Sequence, residues 1–257
     1  RSTPLYSSAA SDVYKRQIDG IELEELIEKR TFGLMNPNQK EKIIANTKKE
    51  FPNGINSFGT DAMRFTFCSL ASGSRDINFD LKRLEGYRNF CNKLWNAANF
   101  IKIQCKGYDN KKVLPKNLED FWIYDEFNKT AENFSKHIDS YRFDLATQSI
   151  YDFVWNDFCD WYIEIAKTRF YSESVESKMI TYSTCLKCIR MILPLMHPFT
   201  PFITEELWSF FKDKNQPDLI VSMWPNGEKN FDDVDGAMTV LQDLITSIRA
   251  IRSRMNI

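Results

Sequence analysis

DLKRLEGYRNFCNKLWNAANFIKIQ, Asp80 to Gln104, is the stretch on which the reading of the chain turns. It holds no proline and one glycine, with an apolar residue at every third or fourth position. It therefore reads as a single helix of about seven turns, about 37 Å long. At about 100° per residue, Leu84, Tyr87, Cys91, Leu94 and Ala98 share one face. Lys82, Asn89, Lys93, Asn96 and Phe100 gather on the opposite one. Two readings of that second face stand side by side. One is a solvated face with a stray aromatic, since single exposed apolar residues are ordinary. The other is a nucleic-acid surface, where lysines meet phosphates, amides read base edges and a ring stacks on an unpaired base.

Around this helix the composition sets bounds. The 257 residues suffice for one large or two small domains, and an apolar share of 43% can bury a core. Nine Gly and nine Pro are few, which favours helices over tight turns. A net charge of −1 gives no global field toward nucleic acid or an anionic membrane. Locally the balance shifts: Asp80 to Lys112 carries eight Lys or Arg against three acids. Six cysteines lie mostly on apolar helical positions, where a thiol acts as a small hydrophobe. Cys185 and Cys188 form a C-x-x-C, but only His197 is near enough in sequence to join them in a zinc set, and a redox motif would follow a strand. A reducing cytosol is the expected compartment. No apolar run reaches the roughly 18 residues of a membrane span, and no signal-peptide pattern is present.

Taken in order, residues 1–17 are Ser/Ala-rich and aperiodic, and resemble translated adaptor sequence; a native disordered tail is the alternative. A short helix is expected over Ile21–Lys29. Asn36-Pro37 reads as the start of a Lys-rich helix to about Glu50. Gly59–Ser72 is expected as a buried helix with Thr60 as N-cap and Asp61 in its first turn. After the long helix and a polar loop carrying Lys111 and Lys112, helices are expected at Leu118–Ser140, Asp144–Arg169, Val175–Met196, from Pro201, and at Asp235–Met255. Leu219-Ile220-Val221 is the one strand-like run. The predicted fold is all-α, a helical bundle of long antiparallel elements.

Chemistry of its own is hard to find in the chain. It contains no glycine-rich phosphate loop, G-x-S-x-G or H-E-x-x-H. His197 reads as structural, His137 as solvated, and Glu205-Glu206 as helix-start electrostatics. The residues alone describe a binding or scaffolding module rather than a self-contained enzyme.

GTDAMRFTFCSLASGSRDINFDLKRLEGYRNFCNKLWNAANF (Gly59–Phe100), YRFDLATQSIYDFVWNDFCDWYIEIAK (Tyr141–Lys167), LPLMHPFTPFITEELW (Leu193–Trp208) and the closing IRAIRSRMNI resemble the valyl-tRNA synthetase family of class I synthetases. The Leu193–Trp208 block is shared with the Ile, Leu and Met members. RDINFD and EGYRNFCNKLWNA favour valine over isoleucine or leucine. The resemblance covers about Ile18 to Ile257. It implies residues 18–79 as the end of the catalytic region's connecting subdomain and 80–257 as the anticodon-binding helical bundle, truncated at its C-terminus. The family's HIGH and KMSKS strings are not in the sequence. No catalytic, cofactor or metal residue is therefore expected here, and ATP, Mg and valine are expected to act through the missing catalytic domain. The implied partner is tRNA(Val), bound by a cytoplasmic monomer with no membrane. The implied contacts are Lys82, Asn89, Lys93, Asn96 and Phe100, with Lys40, Arg64 and Arg249 as weaker candidates for the RNA backbone. A helical protein-interaction module, or the same region of an isoleucyl or leucyl enzyme, are the competing readings.

Overall fold

The computed structural model describes residues 19–34, 36–72, 80–106, 113–225 and 235–255. The expectations for residues 1–17, for 73–79 and for Lys111 and Lys112 lie outside them. Ten α-helices are found among the described residues: α1 (Leu23–Thr31), α2 (Lys40–Glu50), α3 (Thr60–Leu70), α4 (Leu81–Gln104), α5 (Leu118–Asp139), α6 (Phe143–Asp152), α7 (Ile163–Phe170), α8 (Val175–Met196), α9 (Pro201–Phe211) and α10 (Asp235–Met255). The described part is all-α, as the periodicity predicts. Its only β features are isolated bridges, one of which pairs Ile21 with Ile55.

Local chemistry sets the helix starts. Asp80 accepts the N–H of Lys82 at 2.9 Å and opens α4. Asn36 accepts the N–H of Asn38 at 3.1 Å, and a 3-10 turn (Pro37–Gln39) then feeds α2. Asn117 and Asp120 form a reciprocal capping box at the head of α5. In α3 the expectation is off by one residue. Gly59, at φ 83°, is the N-cap and Thr60 is already helical. A positive φ suits glycine, which has no Cβ to clash. Asp61 does not serve its own helix. Its carboxylate accepts the N–H groups of Phe202 (3.3 Å) and Ile203 (2.7 Å), capping α9 from 141 residues away.

Two further expectations need correction. Leu219–Val221 is a 3-10 turn, not a strand. Leu219 is buried and its N–H is accepted by Glu205, while Ile220 and Val221 face solvent, so no sheet partner is engaged. The helix expected at Asp144–Arg169 is interrupted: between α6 and α7 the backbone follows a π-helical path over Phe153–Tyr162. The wider turn changes which side chains face inward, and Phe153, Val154, Phe158, Cys159 and Tyr162 are buried.

The main core joins α3 to α9 through Phe65, Leu94, Phe127, Ile150, Phe158 and Ile192. A satellite core of Ile21, Leu26, Phe51 and Ile55 holds α1 on α2. Within the main core the buried carboxylate of Asp120 accepts Tyr162 Oη (2.8 Å) and Arg169 Nη1 (2.9 Å), and Arg169 also pairs with Glu119. This network locks α5 to the π-helical stretch and α7. By length and composition α8 could cross a membrane; here most of it is buried within the bundle. The last helix, α10, is different. Among its described side chains only Met238 is buried, while Leu241, Leu244, Ile248, Ile251 and Met255 form an exposed ridge at spacings of three and four.

Candidate nucleic-acid interface

The structure divides the five residues predicted on α4. Lys82, Asn89 and Asn96 are exposed. Lys93 is engaged: its Nζ lies 2.6 Å from Asp160 Oδ1 and 3.8 Å from the centre of the Trp155 ring, leaving the side chain 25% exposed. Phe100 is half-buried, edge-on to Phe170 at 5.9 Å, with Lys167 Nζ 5.8 Å from its ring centre. The π-helical stretch and α7 therefore wall one side of the predicted stripe.

The cause is a phase shift. Tyr87 is only half-buried, whereas Phe90, Ala97 and Ile101 are buried alongside Leu84, Cys91, Leu94 and Ala98. The centre of the buried arc moves by about 30° on a helix of 3.6 residues per turn. The open face turns with it, away from Lys93 and Phe100, and centres on residues the pattern did not single out. Asn92 and Ile103 are exposed, Ile103 by 70%, and Asn99 is half-exposed. Greater weight on Phe90 and Ile101, the bulkier apolar residues, would have recovered this phase.

Asn89, Asn92, Asn96 and Asn99 then form a line at spacings of three and four. Among the described residues none of these four amide side chains has a hydrogen-bond partner. Asparagine is a poor helix former, and four of them cost roughly 2 kcal/mol of propensity relative to alanine. The far wall of this face is Phe210 of α9, which touches Trp95 at 6.3 Å and carries Lys102 Nζ 3.4 Å from its ring centre. On the near wall Trp155 stacks on Tyr151 at 5.6 Å. A cleft of about 220 Å³ opens beside Asn92, lined by Arg88, Phe202 and the first turn of α3. The Nε of Arg88 is buried and has no hydrogen-bond partner.

The weaker candidates are scattered. Arg64 donates to the carbonyls of Pro198 (2.9 Å) and Phe199 (3.3 Å), tying α3 to the α8–α9 junction. Arg249 lies 5.4 Å over the Trp161 ring, and Lys40 is exposed on α2, in the satellite unit. His197 Nδ1 sits 2.9 Å from Thr204 Oγ1 at the same junction. The thiols of Cys185 and Cys188 lie in the core, where burial pushes both far up. Burial, then Glu126 and Asp152, raises the Asp157 carboxyl to about 7. Among the described residues no three His, Cys, Asp or Glu side chains group as metal ligands. The surface offers amides, lysines and aromatic edges, which suit recognition of a flexible polar polyanion.

The family described as "Anticodon-binding domain of tRNA ligase" matches residues 120–257. The chain belongs to this family. The match begins within α5, so α4 precedes it, although α4 shares the same core. Similarity to curated relatives extends further back. A Valine--tRNA ligase of Psychrobacter arcticus is 42% identical over 256 residues, 93% of this chain and 26% of that protein. Proteins of the same name from Coxiella burnetii (43%) and Acinetobacter baylyi (44%) also align with 93% of the chain, and with 27% and 26% of their own length. The chain thus spans about a quarter of the length of these curated relatives. Among solved structures, the LeuRS chain of an Agrobacterium radiobacter K84 LeuRS-tRNA-LeuAMS ternary complex superposes with a TM-score of 0.51 at 17% identity. That superposition covers 66% of this chain and 20% of the other, and is a likeness of fold.

Proposed function

We propose that the chain is the part of a valine--tRNA ligase that grips the anticodon arm of tRNA(Val), with the open face of α4 as its contact surface. The observation that carries this reading is the 42–44% identity, over 93% of the chain, to proteins named Valine--tRNA ligase. The geometry supports it with a helix whose polar face is open between two aromatic walls. Anticodon bases are unstacked, so amides and rings can select them, while lysines such as Lys82 meet the backbone. In this reading residues 18–79 connect to a catalytic region, 80–257 hold the RNA, and Lys93 and Phe100 act at the edge of the contact surface. Valine, ATP and Mg belong to the remainder of the protein, so the quarter spanned here binds without ligating. A cytoplasmic location fits six unpaired cysteines, and a monomer is part of the same reading.

Binding of labelled tRNA(Val), and of the same tRNA with its anticodon changed, tests the proposal across a salt series. The expected result is binding that weakens steeply with salt and falls further when the anticodon is changed. Equal affinity for both RNAs would remove the anticodon-reading role. Preference for tRNA(Ile) or tRNA(Leu) would reassign the amino acid.

A further inference from the structure

We propose that Asp61 and Arg190 are positioning residues for RNA binding: they hold α9 by its two ends, and so fix where Phe210, the far wall of the candidate interface, stands against α4. This deepens the reading above and rests on it. Three observations carry it. At the head of α9 the Asp61 carboxylate, from α3, accepts the N–H groups of Phe202 and Ile203 at 3.3 and 2.7 Å. At its tail Arg190, from α8, donates from Nε to the carbonyl of Phe211 at 2.7 Å, and its Nη2 pairs with Asp213 Oδ1 at 2.7 Å. Each charge has the sign that its end of the helix favours, a carboxylate on free N–H groups and a guanidinium on a free carbonyl. Beside that tail, Phe210 meets Trp95 and carries Lys102 Nζ 3.4 Å from its ring centre.

The rest of the hold on α9 is of another kind. Its buried face, with Leu207, Trp208 and Phe211, is apolar. Apolar contact keeps a helix on the core but is non-directional, so it sets register weakly. Hydrogen bonds at the two ends are directional and set it firmly. The corner that leads into α9 is fixed in the same way. Arg64, one turn beyond Asp61 on α3, donates to the carbonyls of Pro198 and Phe199. Its guanidinium serves the protein's own backbone, so it assists the positioning rather than meeting phosphate. A shift of α9 along its apolar contact opens or narrows the face between Phe210 and Trp155.

The test compares the wild-type chain with Arg190→Met, which keeps a long side chain and loses the donors. Binding of tRNA(Val), and of a hairpin bearing its anticodon loop, is measured across a salt series. In parallel, NMR of isotope-labelled lysine follows Lys102, with Lys102→Arg assigning its signal. The methylene beside the Lys102 ammonium lies over the Phe210 ring, whose current should displace its signal upfield. In the folded variant that signal should move back downfield. Affinity for both RNAs should fall about fivefold, with the salt slope unchanged because no phosphate contact is lost. Arg190→Lys keeps the charge and should restore part of both. Asp61→Asn should move the signal by less, and carries the test if Arg190→Met does not fold. An unmoved Lys102 signal in the folded variants overturns the positioning role, and a salt slope shallower by about one makes Arg190 a phosphate contact instead. A moved signal with unchanged affinity overturns the link to RNA binding. Failure of the wild-type chain to bind either RNA overturns the RNA-binding reading beneath, while the Lys102 signal still tests the hold on α9.

Discussion

Lys93 Nζ sits 2.6 Å from Asp160 Oδ1, so a cation on the edge of the candidate RNA surface is already paired within the protein. The pair is partly exposed, with 52% of the Asp160 side chain open to solvent. A phosphate binding at Lys93 would compete with the Asp160 carboxylate for its ammonium. Replacing Asp160 with Asn should strengthen tRNA binding about threefold, in line with the modest worth of an exposed charge pair, and steepen the salt slope by about one. Weaker binding by the variant would mean that Asp160 orients Lys93 productively.

Phe100 packs against Phe170 in this structure and is also the ring proposed to stack on a base. Removing a stacking ring should cost about 1–3 kcal/mol of RNA affinity in Phe100→Ala. The same ring packs edge-on against Phe170, so the substitution should also lower folding stability by about 1–3 kcal/mol. Phe100→Leu separates the two effects: most of the packing survives and the aromatic face does not. If the leucine variant binds the anticodon hairpin as wild type does, Phe100 is a packing residue only.

Asp61 caps a helix far from it in sequence. Asp61→Ala leaves the N–H groups of Phe202 and Ile203 without their acceptor and should cost about 1–2 kcal/mol in urea unfolding. Asp61→Asn keeps a side-chain oxygen and should recover part of that loss. Identical stability of the alanine variant and wild type would show that the α9 start is held by other contacts.

Asp157 makes stability depend on pH. Its carboxyl titrates at about 7 when folded, against the ordinary 3.8, because burial and then Glu126 and Asp152 disfavour the charge. Below about 4 both the folded and unfolded states hold the proton. Between about 4 and 7 only the folded state does, so stability falls as pH rises through that window and is level above it. Asp157→Asn should therefore raise stability at pH 8 by about 1–2 kcal/mol and flatten the fall. Parallel pH curves for the two proteins would contradict this.

These relationships explain why some features were legible in the sequence and others were not. The extent of α4 and the Asn36-Pro37 start depend on residues within four positions, which a sequence displays directly. The phase of α4 depends on which neighbours cover it. Tyr87 reads as a core residue and Phe90 and Ile101 go unnamed until α6 and the π-helical stretch are in place, whereas Cys91 is buried as the pattern predicts. The π-helical stretch leaves no mark in a 3.6-residue pattern, so the wall formed by Trp155 and Asp160 could not be foreseen. The cap that Asp61 gives to α9 joins two points that only the tertiary fold brings together.

The ridge of Leu241, Leu244, Ile248, Ile251 and Met255 on α10 has a practical consequence for work with the chain. Five large apolar side chains facing water at helical spacing make a sticky surface. In concentrated solution the chain should bind hydrophobic dyes and scatter light well before its thermal transition. Leu244→Lys with Ile248→Lys should suppress both signs while leaving the bundle's core untouched. Solubility at the bench is thus governed by one apolar ridge that lies outside the core, on a helix held to the bundle through Met238 and Arg249.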